Sequence, residues 1–192
     1  MKINKKVNTA LVCFAILFTN PIYADVKLPA PFSDHMVLQH NATVPVWGWA
    51  DAGEKVTVQL GKQIKTTTAN AWGKWMWKLD KIAAGEPYSI TVSGKNKIVI
   101  NDVYAGEVWL CSGQSNMDMT VAKEDRYWCG VFNEAQEVAA ANYPLITMFD
   151  TDFKPGDRPA DDVKGKWEIV SPQTVGHLSA VAYFLQEKLN EK

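Results

Sequence analysis

The sequence predicts a mixed fold: a small antiparallel β-sandwich over residues 25–101, then the opening of an α/β/α layer over residues 102–192. Three observations lead there. Short runs of alternating or β-branched residues recur between 44 and 100, punctuated by turn formers. Beyond Asp102, apolar runs alternate with helix-forming stretches, the order that builds a parallel sheet. Between the two regimes lies Glu107-Val108-Trp109-Leu110-Cys111-Ser112-Gly113-Gln114-Ser115-Asn116-Met117, an apolar run that ends in a small polar turn with one serine between two amides.

The first 24 residues read as an export signal. Lys2, Lys5 and Lys6 precede an apolar stretch from Ala10 to Phe18, and Ile22-Tyr23-Ala24 puts a small residue just before Asp25. The apolar stretch is shorter than the roughly 20 residues of a membrane-spanning helix. The expectation is a periplasmic or extracellular protein with no membrane partner once the signal is removed. A net charge of -1 gives no electrostatic footprint for nucleic acid. Cys111 and Cys129 remain in the mature chain; an oxidising compartment allows them to pair, and buried thiols are the other reading. No Cys/His spacing resembles a metal site, and no cofactor is expected.

The expected strands of the sandwich follow in order. Val44–Trp49 alternates large and small residues. Lys55–Leu60 places Val56, Val58 and Leu60 on one face. Gln63–Thr68 is rich in β-branched residues, and Lys74–Leu79 places Trp75 and Trp77 on one face. Tyr88–Val92 and Lys97–Ile100 complete the set. Turns are expected at Asp51–Gly53, Asn70–Gly73, Ala84–Pro87 and Gly94–Asn96. Trp47, Trp49, Trp75 and Trp77 suit either a sugar-stacking platform or the sandwich core, and core is the favoured assignment for most of them. Trp72, beside a turn glycine, is expected to be exposed.

In the second half, Val103 to Leu110 reads as a buried parallel strand. Phe132–Ala141 is a helix stopped by Pro144, and Leu145–Phe149 is the next strand. A polar loop spans Asp150–Asp162, and Val163–Val170 is a short extended segment. His177–Asn190 is a helix with Leu178, Val181, Ala182, Leu185 and Leu189 on one face.

A serine at a strand-to-helix turn can project its hydroxyl where backbone N–H groups hold an oxyanion. Gly113-Gln114-Ser115-Asn116-Met117 is not the Gly-x-Ser-x-Gly elbow, however, and a serine here also suits capping of the next helix. The residues from Gly106 to Met117 resemble the nucleophile block of bacterial sialate O-acetylesterase-like proteins, a branch of the SGNH hydrolases. Four further stretches are similar to that family in the same order: Leu28–Gln39, Val44–Gly53, Tyr143–Ile146 and Ser179–Phe184.

The resemblance implies a β-sandwich joined to an SGNH, flavodoxin-like hydrolase domain. It implies a serine esterase that removes O-acetyl groups from sugars, so an O-acetylated sugar or glycan is the expected partner. It makes Ser115 the nucleophile and its backbone N–H an oxyanion donor, with Gly113, Gln114 and Asn116 lining the site. The family's Asp-x-x-His pair is missing: of His35, His40 and His177, none has an aspartate three residues before it. His177 is expected to be a surface or capping residue. The chain therefore reads as an N-terminal part of a longer enzyme, with an incomplete hydrolase domain. The alternative is a carbohydrate-binding β-sandwich module with a non-catalytic hydrolase remnant, recognisable by exposure of Trp72, Trp75 or Trp77.

Overall fold

The structure, a computed structural model, describes residues 25–85, 87–124, 128–152 and 156–190; the signal-peptide expectation falls outside them. The strands are β1 (Val37–Gln39), β2 (Val44–Trp49), β3 (Lys55–Leu60), β4 (Gln63–Thr68), β5 (Lys74–Leu79), β6 (Tyr88–Ser93), β7 (Lys97–Gly106), β8 (Tyr143–Thr151) and β9 (Gly165–Val170). The helices are α1 (Ser115–Asp118), α2 (Glu134–Ala140) and α3 (Ala180–Asn190), and a 3-10 turn spans Val175–His177.

Strands β1-β7-β6-β3-β4 form one five-stranded sheet and β2-β5 a two-stranded ribbon. Alternation in the sequence decides which side chains meet between them. Val56, Val58 and Leu60 of β3 and Ile90 and Val92 of β6 are buried with Val46 of β2 and Trp75 and Leu79 of β5, all in one apolar core. Gly48 lets the Lys27 segment approach β2: a Cβ there would lie 2.2 Å from the Lys27 carbonyl oxygen, and Lys27 and Trp49 exchange backbone hydrogen bonds.

β7 is one ten-residue strand, where the sequence suggested a break near 101. It runs on to Gly106, past the expected domain boundary, because a bulge resets its parity. Ile100 pairs with Ile90, yet the next inward partner is Val103, opposite Tyr88. Asp102 takes the left-handed region at φ 55°, and its carboxylate meets His35 Nδ1 at 2.6 Å. Asp34 Oδ1 accepts from the Asn101 N–H. The bulge thus depends on a loop 67 residues away in sequence. Beyond it Val103 and Ala105 are buried, and β1 pairs alongside in parallel, Val37 opposite Tyr104 and Gln39 opposite Gly106.

The second unit departs from expectation. Val108, Trp109 and Leu110 do not form a buried strand: they have no regular structure, and Leu110 is 95% exposed. A parallel strand needs hydrogen-bonded neighbours, and among the described residues none pairs with it. Among the described residues beyond Gly106 the one sheet is the antiparallel pair β8-β9, not a parallel one. Its inward Ile146 and Val170 pack with Val121, Ala141, Val175, Leu178, Ala180 and Tyr183 into a separate small core. Helix α3 therefore buries Tyr183 and Ala180, whereas Val181, Leu185 and Leu189 of the expected inner stripe are exposed.

The units meet through β9 and the segment before it. Trp167 Nε1 donates to the Pro31 carbonyl at 2.8 Å, the Ala30 N–H donates to Asp162 Oδ1 at 2.8 Å, and Lys74 pairs with Asp161.

Candidate functional site

The segment that carries Ser115 is suspended between two anchors. At its start, β1 holds Glu107 and Val108. Gln39 Oε1 accepts from the Val108 N–H at 3.0 Å, Gln39 Nε2 lies 3.3 Å from Glu107 Oε2, and His40 Nε2 lies 2.6 Å from Glu107 Oε1. The hydrogen bonds to His40 and then Gln39 hold the Glu107 carboxyl below its ordinary range. At its end, Met119 to Ala122 pair with the approach to α3: Ala180 N–H to the Met119 oxygen, Val121 N–H to the Leu178 oxygen and Ala122 N–H to the Gly176 oxygen. Thr120 is buried there and its hydroxyl donates to the Ala122 carbonyl.

Between the anchors the chain makes the single turn of α1. The Gln114 carbonyl accepts from the Met117 and Asp118 N–H groups, and Ser115 is the first helical residue. The N–H groups of Ser115 and Asn116 therefore lie in the first turn and have no intrahelical acceptor. A Cβ on Gly113 would lie 2.7 Å from Met117 Cγ, so a larger residue at 113 would require the Met117 side chain to move. Ser115 is not at positive φ, in keeping with the absence of the strained Gly-x-Ser-x-Gly elbow. It does not cap α1 either: the N-cap is Gln114, and no side chain caps that end.

Gly113, Gln114, Ser115 and Asn116 are all exposed and lie in one turn. Among the described residues no side-chain base is hydrogen-bonded to Ser115. Each of the three histidines is engaged by its own carboxylate: His35 by Asp102, His40 by Glu107 and His177 by Glu168. His177 sits in the 3-10 turn with its side chain partly exposed. Its partner Glu168 is largely buried; burial alone would raise its carboxyl, but hydrogen bonds from Lys166 and His177 outweigh that and hold it low. Cys111 and Cys129 are both free thiols, not a disulfide, and Cys129 is buried with its sulfur toward the Asp118 carbonyl. No cluster able to hold a metal ion occurs among the described residues. The anchor made by Gln39, His40 and Glu107 was not singled out from the sequence; it joins residues 67 to 69 apart, and only the β1-β7 pairing reveals it.

No family model matches the chain. Among curated proteins it is 31% identical to sialate O-acetylesterase from Rattus norvegicus over 160 residues, 75% of this chain and 28% of that protein. It is 29% identical to the Homo sapiens protein of the same name over 178 residues, 82% of this chain and 33% of that protein. Among solved structures it is similar to a carbohydrate acetylesterase from Xanthomonas citri, with a TM-score of 0.80 and 31% identity, covering 87% of this chain and 38% of that one. The chain thus spans about a third of the length of the relatives it matches.

Proposed function

Because the chain belongs to the sialate O-acetylesterase-like family, we propose that it carries the nucleophile of a carbohydrate O-acetylesterase and that the catalytic base lies outside these 192 residues. The observation that carries this reading is the state of Ser115: its hydroxyl stands exposed on a turn fixed at both ends, and every histidine of the chain is occupied elsewhere.

In the complete enzyme Ser115 Oγ attacks the acetyl carbonyl carbon. A histidine from an Asp-x-x-His block takes the hydroxyl proton and passes it to the departing sugar oxygen. The negative charge on the carbonyl oxygen falls to backbone donors of the same turn, beginning with the Ser115 N–H, while Gly113, Gln114 and Asn116 line the pocket. Water then releases acetate from the acyl-serine. The hydrolase layer is incomplete in this chain, and the exposed Trp109, Leu110, Phe132, Leu145 and the outer stripe of α3 are the surfaces the rest of the domain covers. The N-terminal pattern of charge and apolar residues supports export.

Every step in this scheme uses a serine, an imidazole and backbone N–H groups. Acetate release from an O-acetylated oligosaccharide by the longer enzyme is therefore expected to be unchanged by EDTA. A rate that collapses with chelator and returns with a divalent cation would contradict the scheme.

A further inference from the structure

We propose that the outer face of the β2-β5 ribbon is a binding groove for a neutral oligosaccharide, separate from the Ser115 turn. Sequence alternation places Val44, Val46 and Gly48 inward, so Trp47 and Trp49 project from the opposite face of β2. The ribbon register sets Met76 directly opposite Trp47 and Lys74 directly opposite Trp49. These four residues, with Asn70 and Asp161, line a groove of about 500 Å³, within the size range of small-molecule sites. Trp75 and Trp77 alternate with them on β5 and belong to the inward face, although Trp75 also contributes to the lining of the groove.

The groove has the two properties a sugar requires. The first is a flat apolar floor held still. Phe32 packs edge-on against Trp47 at 4.7 Å between ring centres, and the backbone bonds with Lys27 fix the strand at Trp49. Aromatic faces bury the C–H surface of a sugar ring with little loss of side-chain freedom. The second is a rim of hydrogen-bonding groups. Asn70 Oδ1 is already used, accepting from the Trp72 and Lys74 N–H groups, which orients the side-chain amide nitrogen as a donor. Asp161 and Lys74 supply an acceptor and a donor on the other side, and they face each other at 2.8 Å.

That pairing also selects the charge of the ligand. With Lys74 neutralised by Asp161, the groove offers no net cation to an acidic sugar. A neutral chain therefore suits it better than a sialic acid polymer. Trp72, though 84% exposed, does not line the groove.

Affinity electrophoresis of the protein through gels containing hydroxyethylcellulose, xylan, galactomannan or polysialic acid tests this, with cellohexaose titration followed by tryptophan fluorescence. Retardation by at least one neutral polysaccharide and not by polysialic acid is expected. Trp49→Ala and Met76→Ala should each weaken binding, the former by about tenfold. Met76 is half exposed, so its loss leaves the core intact and guards against a misfolded Trp49 variant. Ser115→Ala and Trp72→Ala should leave binding unchanged. Retardation by none of the neutral polysaccharides, preference for polysialic acid, or binding that survives both groove substitutions overturns the proposal. Binding lost on Ser115→Ala but kept in the groove variants would assign it to the Ser115 turn instead.

Discussion

Replacing Ser115 by alanine, in an enzyme that carries both this chain and an Asp-x-x-His block, is expected to lower kcat/KM for an O-acetylated sugar by about 10⁴-fold or more. The size follows from what the hydroxyl does. Without it the acyl-enzyme cannot form, and water must attack the ester directly. What remains is binding and oxyanion stabilisation by the turn's N–H groups, which by themselves give only a small part of an esterase's acceleration. The substitution removes one oxygen from an exposed residue in a four-residue helix, so folding should be unaffected. Acetate release by the two proteins, measured at matched concentration and with matched circular dichroism spectra, checks this. A loss of tenfold or less would remove Ser115 from the nucleophile role.

The second large effect concerns the small core under α3. Leu178 is fully buried with Val121, Val175 and Tyr183. Leu178→Ala is expected to cost roughly 2–5 kcal/mol, the range for a deleted leucine whose cavity cannot collapse. Val181, three residues on and part of the same apolar stripe in the sequence, is 47% exposed. Val181→Ala is expected to change stability by no more than about 0.5 kcal/mol, since little apolar area is lost and alanine is the better helix former. Thermal unfolding of the 192-residue chain separates the cases. Equal destabilisation by both substitutions would mean that α3 packs on the face its sequence pattern suggests rather than on the one described here.

That contrast shows what the sequence makes legible. Strands β2 to β5 begin and end where alternation and turn residues place them, because both signals are local. Other features depend on distant partners. The bulge in β7 rests on Asp34 and His35, so the sequence could only suggest two strands where one runs through. The orientation of Trp47 and Trp49 was ambiguous because both faces of β2 carry apolar residues; burial of Val44 and Val46 settles it. Val108 to Leu110 has the composition of a buried strand, but composition states only what a segment favours. Strand formation needs neighbours, and here the segment lies open. Helix α3 is apolar around much of its circumference, so periodicity alone could not choose its inner face.

The Ser115 turn was legible through its motif rather than through any physical pattern. The absence of an Asp-x-x-His pair was legible by inspection of three histidines. What could not be read was their employment. His35 steadies a bulge, His40 tethers the segment leading to Ser115, and His177 joins β9 through Glu168. Each is committed to a carboxylate that the fold delivers from elsewhere in the chain.

The most direct measurement compares p-nitrophenyl acetate hydrolysis by the 192-residue chain and by its Ser115→Ala variant, at neutral pH and equal protein concentration. A hydroxyl with no proton acceptor in reach should add nothing, so the two rates are expected to coincide within error. A wild-type rate well above that of the variant would show that this chain activates Ser115 by itself, and would contradict the claim that its base lies elsewhere.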